Sequence, residues 1–329
     1  MNLWKKGLAL CLSAALILSL TACGKQAETP APPVEEDVTV RIGALKGPTA
    51  MGLVNLEESE AGAERYDLHI AASADELTPA LIKGELDVAC LPANLASVLY
   101  NKTEGQIVTI GINTLGVLYI VENGNAVQSI KDLRGTTIAA SGKGSTPEYA
   151  LQYLLKQNGL DPDTDVIIDW KSEHSECVAA LASGAATIAL LPQPFVTVAQ
   201  GKIENLRVAL DLTKEWDALE NGSALLTGVV VARKDFVETH PAAVETLLQD
   251  YAASVDWVNA NTADAAVKIG EMGIVDAAVA EKALPACNIV CITGSEMKEK
   301  LSGYLEVLYD AAAESVGGKL PGDDFYYGA

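Results

Sequence analysis

From residue 38 onward, short runs of apolar, strand-like residues alternate with longer stretches of helical spacing, the pattern of an α/β fold with a mainly parallel sheet. One half of the chain echoes the other. In the first half, a strand-like stretch at 69–72 leads through 73–75 into a helical stretch that stops at Gly84, followed by the apolar run Asp87-Val88-Ala89-Cys90-Leu91-Pro92. In the second, 168–171 leads through 172–175 into a helical stretch that stops at Gly184, followed by Thr187-Ile188-Ala189-Leu190-Leu191-Pro192. The helix-ending glycines and the strand-ending Leu-Pro pairs are each offset by 100 residues. An earlier echo sets Lys46-Gly47-Pro48-Thr49 against Lys143-Gly144-Ser145-Thr146, each following a strand (38–44 and 137–140) and each opening a helix.

Matched positions in the same order predict two similar, Rossmann-like lobes. Crossings between them are expected in 107–121, an apolar run interrupted by Asn113, Thr114 and Gly116, and in 224–232, which contains Thr227-Gly228. Two crossings insert one lobe into the other. Lobe one is then expected over 38–116 and 229–329 and lobe two over 117–228, with a ligand cleft between them.

The N-terminus reads differently. Lys5 and Lys6 precede an apolar run over 8–20 that is too short to span a bilayer comfortably but suits a signal peptide, expected over 1–22. It ends in Leu20-Thr21-Ala22-Cys23, which resembles the bacterial lipobox; that resemblance implies cleavage, acylation of Cys23 by palmitate-type chains, and a polar Pro-rich tether over 23–37. The expected location is the extracytoplasmic face of the cell membrane. Export permits disulfides among Cys90, Cys177, Cys287 and Cys291. Core thiols are expected instead, because 90 lies in an apolar run and an extended 287–291 stretch puts its cysteines beyond bridging reach.

Composition narrows the function. Lys plus Arg total 23 against 44 Asp plus Glu, a net charge of −21 that repels nucleic acid. Three histidines, His69, His174 and His240, lie far apart, so no metal centre is expected, and aromatics at 5% disfavour a Trp-paneled sugar site. No Gly-x-Ser-x-Gly, Walker, His-Glu-x-x-His or Cys-x-x-Cys motif occurs. Neither a cofactor nor catalysis is expected.

Several local sequences point to one family: Leu45-Lys46-Gly47-Pro48-Thr49-Ala50-Met51-Gly52-Leu53, Gly84-Glu85-Leu86-Asp87-Val88-Ala89, Ile130-Lys131-Asp132-Leu133-Arg134-Gly135-Thr136-Thr137-Ile138-Ala139 and Leu191-Pro192-Gln193-Pro194-Phe195. With the lipobox and two lobes, the chain resembles ABC-importer substrate-binding lipoproteins of the type II periplasmic-binding-protein fold, in the family of nitrate, sulfonate and taurine binders and of binders of thiamine-precursor pyrimidines. Gln193-Pro194 departs from the Glu-Pro common there, so a ligand cation held through that Glu is not carried over. The resemblance implies a monomer that captures a small molecule, a heterocycle such as a pyrimidine or a sulfonate- or nitrate-like anion, and delivers it to an ABC permease. Two alternatives stay open: a pyrimidine-synthase-like enzyme of the same fold, whose cysteine-rich motif this chain lacks, and a tethered ligand-sensing receptor.

Ligands of open α/β sheets bind beyond the carboxyl ends of the strands, where loops meet helix N-termini. That rule selects Lys46, Gly47, Pro48, Thr49 and Ala50 in lobe one and Gly144, Ser145 and Thr146 in lobe two. Loops 73–75 and 172–174 form a second facing pair, with His174 the most distinctive residue. Asn94 and Gln193 follow the two Leu-Pro pairs and offer amides that donate and accept. Asn113, Thr114 and Thr227 are expected to complete the site from the crossings.

Overall fold

The structure is a computed structural model that describes residues 38–58 and 60–329. The signal peptide, Cys23 and the tether lie outside the described residues.

The first half supplies β1 Val40–Leu45, α1 Pro48–Met51, α2 Glu60–Arg65, β2 Tyr66–Ala71, α3 Ala74–Lys83, β3 Val88–Pro92, α4 Ala93–Lys102 and β4 Ile107–Leu115. Next come β5 Leu118–Glu122, β6 Thr137–Ser141, α5 Thr146–Gln157, β7 Ile167–Lys171, α6 His174–Ala182, β8 Ile188–Pro192, α7 Phe195–Lys202, β9 Arg207–Asp211 and α8 Leu212–Asp217. The chain ends with β10 Leu226–Arg233, α9 Lys234–Thr239, α10 Pro241–Ala260, α11 Thr262–Glu271, α12 Ala277–Ala283, β11 Ile289–Ile292 and α13 Gly294–Ala311.

The strands form a six-stranded sheet of order β11-β4-β10-β3-β1-β2 and a five-stranded sheet of order β7-β6-β8-β5-β9. Read from its β2 edge, the first sheet repeats the second: β2, β1 and β3 are parallel, as are β7, β6 and β8, and each trio is followed by an antiparallel strand, β10 or β5. The 100-residue echo is therefore a repeat of strand order. Central strands β3 and β8 read as near-continuous apolar runs because helices cover both faces, whereas edge strands β2 and β7 alternate and leave Ile167 63% exposed.

Gly84 ends α3 in the left-handed conformation, φ 77°, with its N–H on Ala80 and Leu81 carbonyls. Gly184 also has positive φ, but α6 stops two residues earlier, at Ala182.

The chain leaves the first sheet at Leu115 and enters the second at Leu118 through Gly116 and Val117. It returns by Leu226, which pairs with Leu115. Thr227 and Gly228, expected at the crossing, thus sit inside β10 at a register shift. Gly228 is a close-approach residue: a Cβ there would lie 2.6 Å from the Thr49 methyl and closer still to Asn113 Oδ1.

Behind the cleft the two halves share one core. A single buried cluster runs from Leu77, Leu91 and Ile112 to Leu151, Leu190 and Trp216. Helix α13 closes it, with the Tyr304 ring 5.6 Å from Trp216 and Trp216 4.7 Å from Tyr153. Asn94, Ser97 and Asn101, one helical face of α4, donate to the carbonyls of Ser315, Val316 and Lys319 and hold the C-terminal segment across the first lobe.

Candidate functional site

The loops after β1, β2 and β3 face the loops after β6, β7 and β8 across a cavity of about 630 Å³. The sequence-selected residues Lys46, Pro48, Thr49, Gly144, Ser145, Thr146, His174, Gln193 and Thr227 line it. The facing loops 73–75 and 172–174 line it as well, and His174 proves to be the first residue of α6 rather than part of the loop.

Five expected contacts lie elsewhere, for identifiable reasons. Gly47 holds φ 131°, ψ −157°, a conformation suited to glycine; it turns the chain out of β1, and its carbonyl accepts from Ala50 and Met51. Ala50 is fully buried in the core beneath the first sheet. Asn113 and Thr114 are fully buried inside β4, a strand flanked on both sides, and the Thr114 hydroxyl donates to Asn113 Oδ1 at 3.0 Å. Asn94 is also fully buried, and its amide is used within the protein. Nδ2 donates to Gly144 O at 3.3 Å and to Ser315 O at 3.0 Å, while Oδ1 accepts from Thr146 Oγ1 at 3.3 Å. It staples the first half to the second instead of reaching for a ligand.

Gln193 has a different balance. Its Oε1 accepts from the Thr197 N–H at 3.3 Å and from its hydroxyl at 2.9 Å. A backbone N–H only donates, which fixes that atom as oxygen and leaves the Nε2 hydrogens for the cavity. Thr49 donates its hydroxyl to Leu45 O at 2.9 Å, so only its lone pairs face outward. Thr227 Oγ1 has no hydrogen-bond partner among the described residues.

Helix N-termini carry partial positive charge that favours an anion, but those of α3, α5 and α6 each bring their own carboxylate. Position N3 is Glu76 in α3, Glu148 in α5 and Glu176 in α6. Glu148 accepts the Gly144 N–H at 2.5 Å, Glu176 the Ser172 N–H at 2.8 Å, and Glu76 the Ser73 hydroxyl at 3.3 Å. Ser73-x-x-Glu76 and Ser145-x-x-Glu148 carry the capping-box spacing, a signal present in the sequence that the site selection did not use. No arginine lines the cavity, and of its lysines Lys171 is paired with Asp169 at 2.8 Å. Lys46 and Lys143 make no ion pair among the described residues. Lining acids Asp75, Glu76 and Glu173 offset them.

Ser141, at the end of β6, is a lining residue that sequence reasoning missed. Its Oγ lies 2.5 Å from His174 Nδ1, and the imidazole packs 5.1 Å from the Phe195 ring. Burial pushes the His174 pKa down to about 4, so the ring is neutral at pH 7.

Two similar α/β halves joined by two crossovers, with loops from both meeting around one small-molecule cavity, define a type II periplasmic binding protein, the substrate-binding component of an ABC importer. Residues 55–281 match the model of the family described as ABC transporter, phosphonate, periplasmic substrate-binding protein, and the chain belongs to that family. Its members are binding proteins rather than enzymes, and they work outside the cytoplasm.

Solved structures share the fold. An ABC transporter protein from Parabacteroides distasonis is 23% identical over 88% of this chain and 99% of its own, with a TM-score of 0.73. The periplasmic aliphatic sulphonate binding protein of Escherichia coli is 17% identical over 88% and 96%, with a TM-score of 0.71. The periplasmic nitrate-binding protein of Synechocystis is 16% identical over 71% and 66%, with a TM-score of 0.56. No curated protein matches the sequence. Among the described residues no helix is long and apolar enough to cross a membrane.

Proposed function

We propose that this protein is anchored through acylated Cys23 to the extracytoplasmic face of the cell membrane, where it captures a small, planar, neutral or weakly anionic molecule and hands it unaltered to its ABC permease. The ligand sits between a lobe of 38–116 with 229–329 and a lobe of 117–228. The observation that carries the reading is the roughly 630 Å³ cavity lined by paired strand-end loops, large enough for one small heterocycle and furnished with uncharged donors and acceptors such as Ser145 and Gln193. The leader with its Leu20-Thr21-Ala22-Cys23 box supports the anchor.

A thermal-shift screen over pyrimidines, other small nitrogen heterocycles, sulfonates, phosphonates and carboxylates tests it. A ligand at 100 times its Kd adds about 2.7 kcal/mol to native stability. The expected result is a stabilising compound recovered chemically unchanged; stabilisation by none of the classes, or recovery of a product, refutes the reading. Intact-mass spectrometry of protein from its host tests the anchor, and an unmodified Cys23 or an N-terminus at Met1 contradicts it.

A further inference from the structure

The floor of the cavity is built where the chain crosses between the two sheets. The Gln193 N–H donates to Val117 O at 3.1 Å, and Leu226, the residue before Thr227, pairs with Leu115. Gln193 and Thr227 are thus both held against the crossing Leu115-Gly116-Val117-Leu118, and both line the cavity. Each carries a polar group that the fold leaves unused. Gln193 is only 8% exposed, and its Oε1 is taken by the hydroxyl of Thr197 and by the Thr197 N–H, an orphan donor in the first turn of α7. Its Nε2 makes no hydrogen bond among the described residues. Thr227 Oγ1 is buried and has no partner there either. Buried polar groups in folded proteins are nearly always paired, so two spare ones at one place in a cavity mark where a polar atom from outside belongs.

We infer that Gln193 Nε2 and Thr227 Oγ1 form a polar subsite at the floor of the cavity, which takes a carbonyl oxygen or an unprotonated ring nitrogen of the ligand, and that Gln193 thereby turns away ammonium and amidinium groups. This rests on the capture function proposed above and specifies its substrate class. A carboxamide carries one acceptor and one donor group, and here the acceptor is spent. Turning the amide over would break both bonds from Thr197 and set its NH2 against a backbone N–H, so the cavity meets a donor only. An ammonium has hydrogens and no lone pair, and it finds no acceptor in Gln193. The lining carboxylates that would suit a cation lie elsewhere. Asp75 and Glu76 follow edge strand β2 and Glu173 follows edge strand β7, whereas Gln193 follows β8 and Thr227 lies in β10, both interior strands. Across the first sheet β2 is three strands from β10, about 14 Å. The Thr227 hydroxyl both donates and accepts, so it adds affinity without choosing between partners, and Gln193 is the specificity-determining residue.

Two measurements on the ligand-free mature protein test the subsite. Hydrogen exchange of the Thr197 amide, followed by NMR, is expected to be slow in the unsubstituted protein and in Gln193→Glu, whose carboxylate still accepts, and about tenfold faster in Gln193→Met. Equal exchange in all three overturns the inference. Thr227→Val keeps the side-chain shape and is expected to leave the urea midpoint no lower, because no hydrogen bond is lost; a lower midpoint shows the hydroxyl already partnered within the fold and overturns it. Neither measurement needs a ligand, so either failure leaves the capture function standing. Equilibrium dialysis against a metabolite extract from the host, with mass spectrometry of what is retained, then tests the substrate class. The unsubstituted protein is expected to retain a compound with a carbonyl or unprotonated ring nitrogen, held about tenfold more weakly by Gln193→Glu and by Thr227→Val. Undiminished retention by Gln193→Glu, or retention of an ammonium or amidinium compound, overturns the inference; undiminished retention by Thr227→Val means that the floor holds water only and overturns it too. Retention of nothing by the unsubstituted protein, with slow Thr197 exchange, refutes capture instead.

Discussion

Replacing Asn94 with alanine isolates the contact that ties the two halves together at the base of the cleft. The amide makes three hydrogen bonds, at 3.3 Å to Gly144 O, 3.0 Å to Ser315 O and 3.3 Å from Thr146 Oγ1, and it is fully buried. Each such bond has a net worth near 1 kcal/mol, and a buried group stripped of its partner costs about 1–3 kcal/mol. The partners retain some alternatives: Thr146 still receives the Tyr304 hydroxyl at 3.4 Å, and the C-terminal segment is still held by Ser97 and Asn101. A loss of about 2 kcal/mol in unfolding free energy follows, toward the middle of that range. Two of the three bonds reach the start of α5, so the loss is also local. Urea denaturation reads the total, and hydrogen exchange read by mass spectrometry reads its distribution. Amides over 142–157 and 312–319 should lose protection more than those of β1 and β3. A midpoint unchanged from the unsubstituted protein, or a loss spread evenly over both sheets, refutes the staple.

His174 makes stability depend on pH. Its folded pKa of about 4 lies below the ordinary 6.5, so its contribution is complete above pH 6.5 and is lost as pH falls toward 4, when the unfolded chain takes a proton that the folded ring refuses. The difference corresponds to at most about 3.4 kcal/mol, less the relief that solvent gives a partly exposed ring. Urea midpoints of the protein and of His174→Gln should therefore converge between pH 7 and 4; parallel curves contradict the buried neutral ring. Glu122→Ala should cost about 3–5 kcal/mol by chemical denaturation, because it strands Arg207 and the N–H groups of Ala126 and Val127 around a 3%-exposed site, and a change below 1 kcal/mol contradicts that account. Gly228→Ala should cost about 1–3 kcal/mol through overpacking against Asn113 and Thr49, checked the same way and contradicted by a neutral result.

The sequence carried the repeat well because the signals lay in the backbone. Helix-ending glycines, Leu-Pro strand ends and buried runs such as 87–92 are local properties, and their 100-residue offset survived folding as a repeated strand order. Loop positions were legible for the same reason, which is why Ser145, His174 and Gln193 meet in one cavity. Side-chain direction was not legible. Asn94 follows a Leu-Pro pair just as Gln193 does, yet its helix is covered by the C-terminal segment more than 200 residues away in sequence, and that cover takes up the amide. Asn113 and Thr114 looked like crossing residues because polar groups interrupt an apolar run; pairing of β4 on both sides buries them instead. Ser141 escaped notice because only the fold brings the end of β6 within 2.5 Å of His174, 33 residues on.

The central claim, reversible capture of one small molecule in the cleft, is tested most directly by equilibrium dialysis of the mature protein against a metabolite extract from its host, with mass spectrometry of what the protein retains. The account predicts one compound enriched to one equivalent per chain, released unchanged on denaturation, and lost when His174 and Gln193 are replaced together. Enrichment of no compound, release of a chemically altered one, or full retention by the double variant contradicts it.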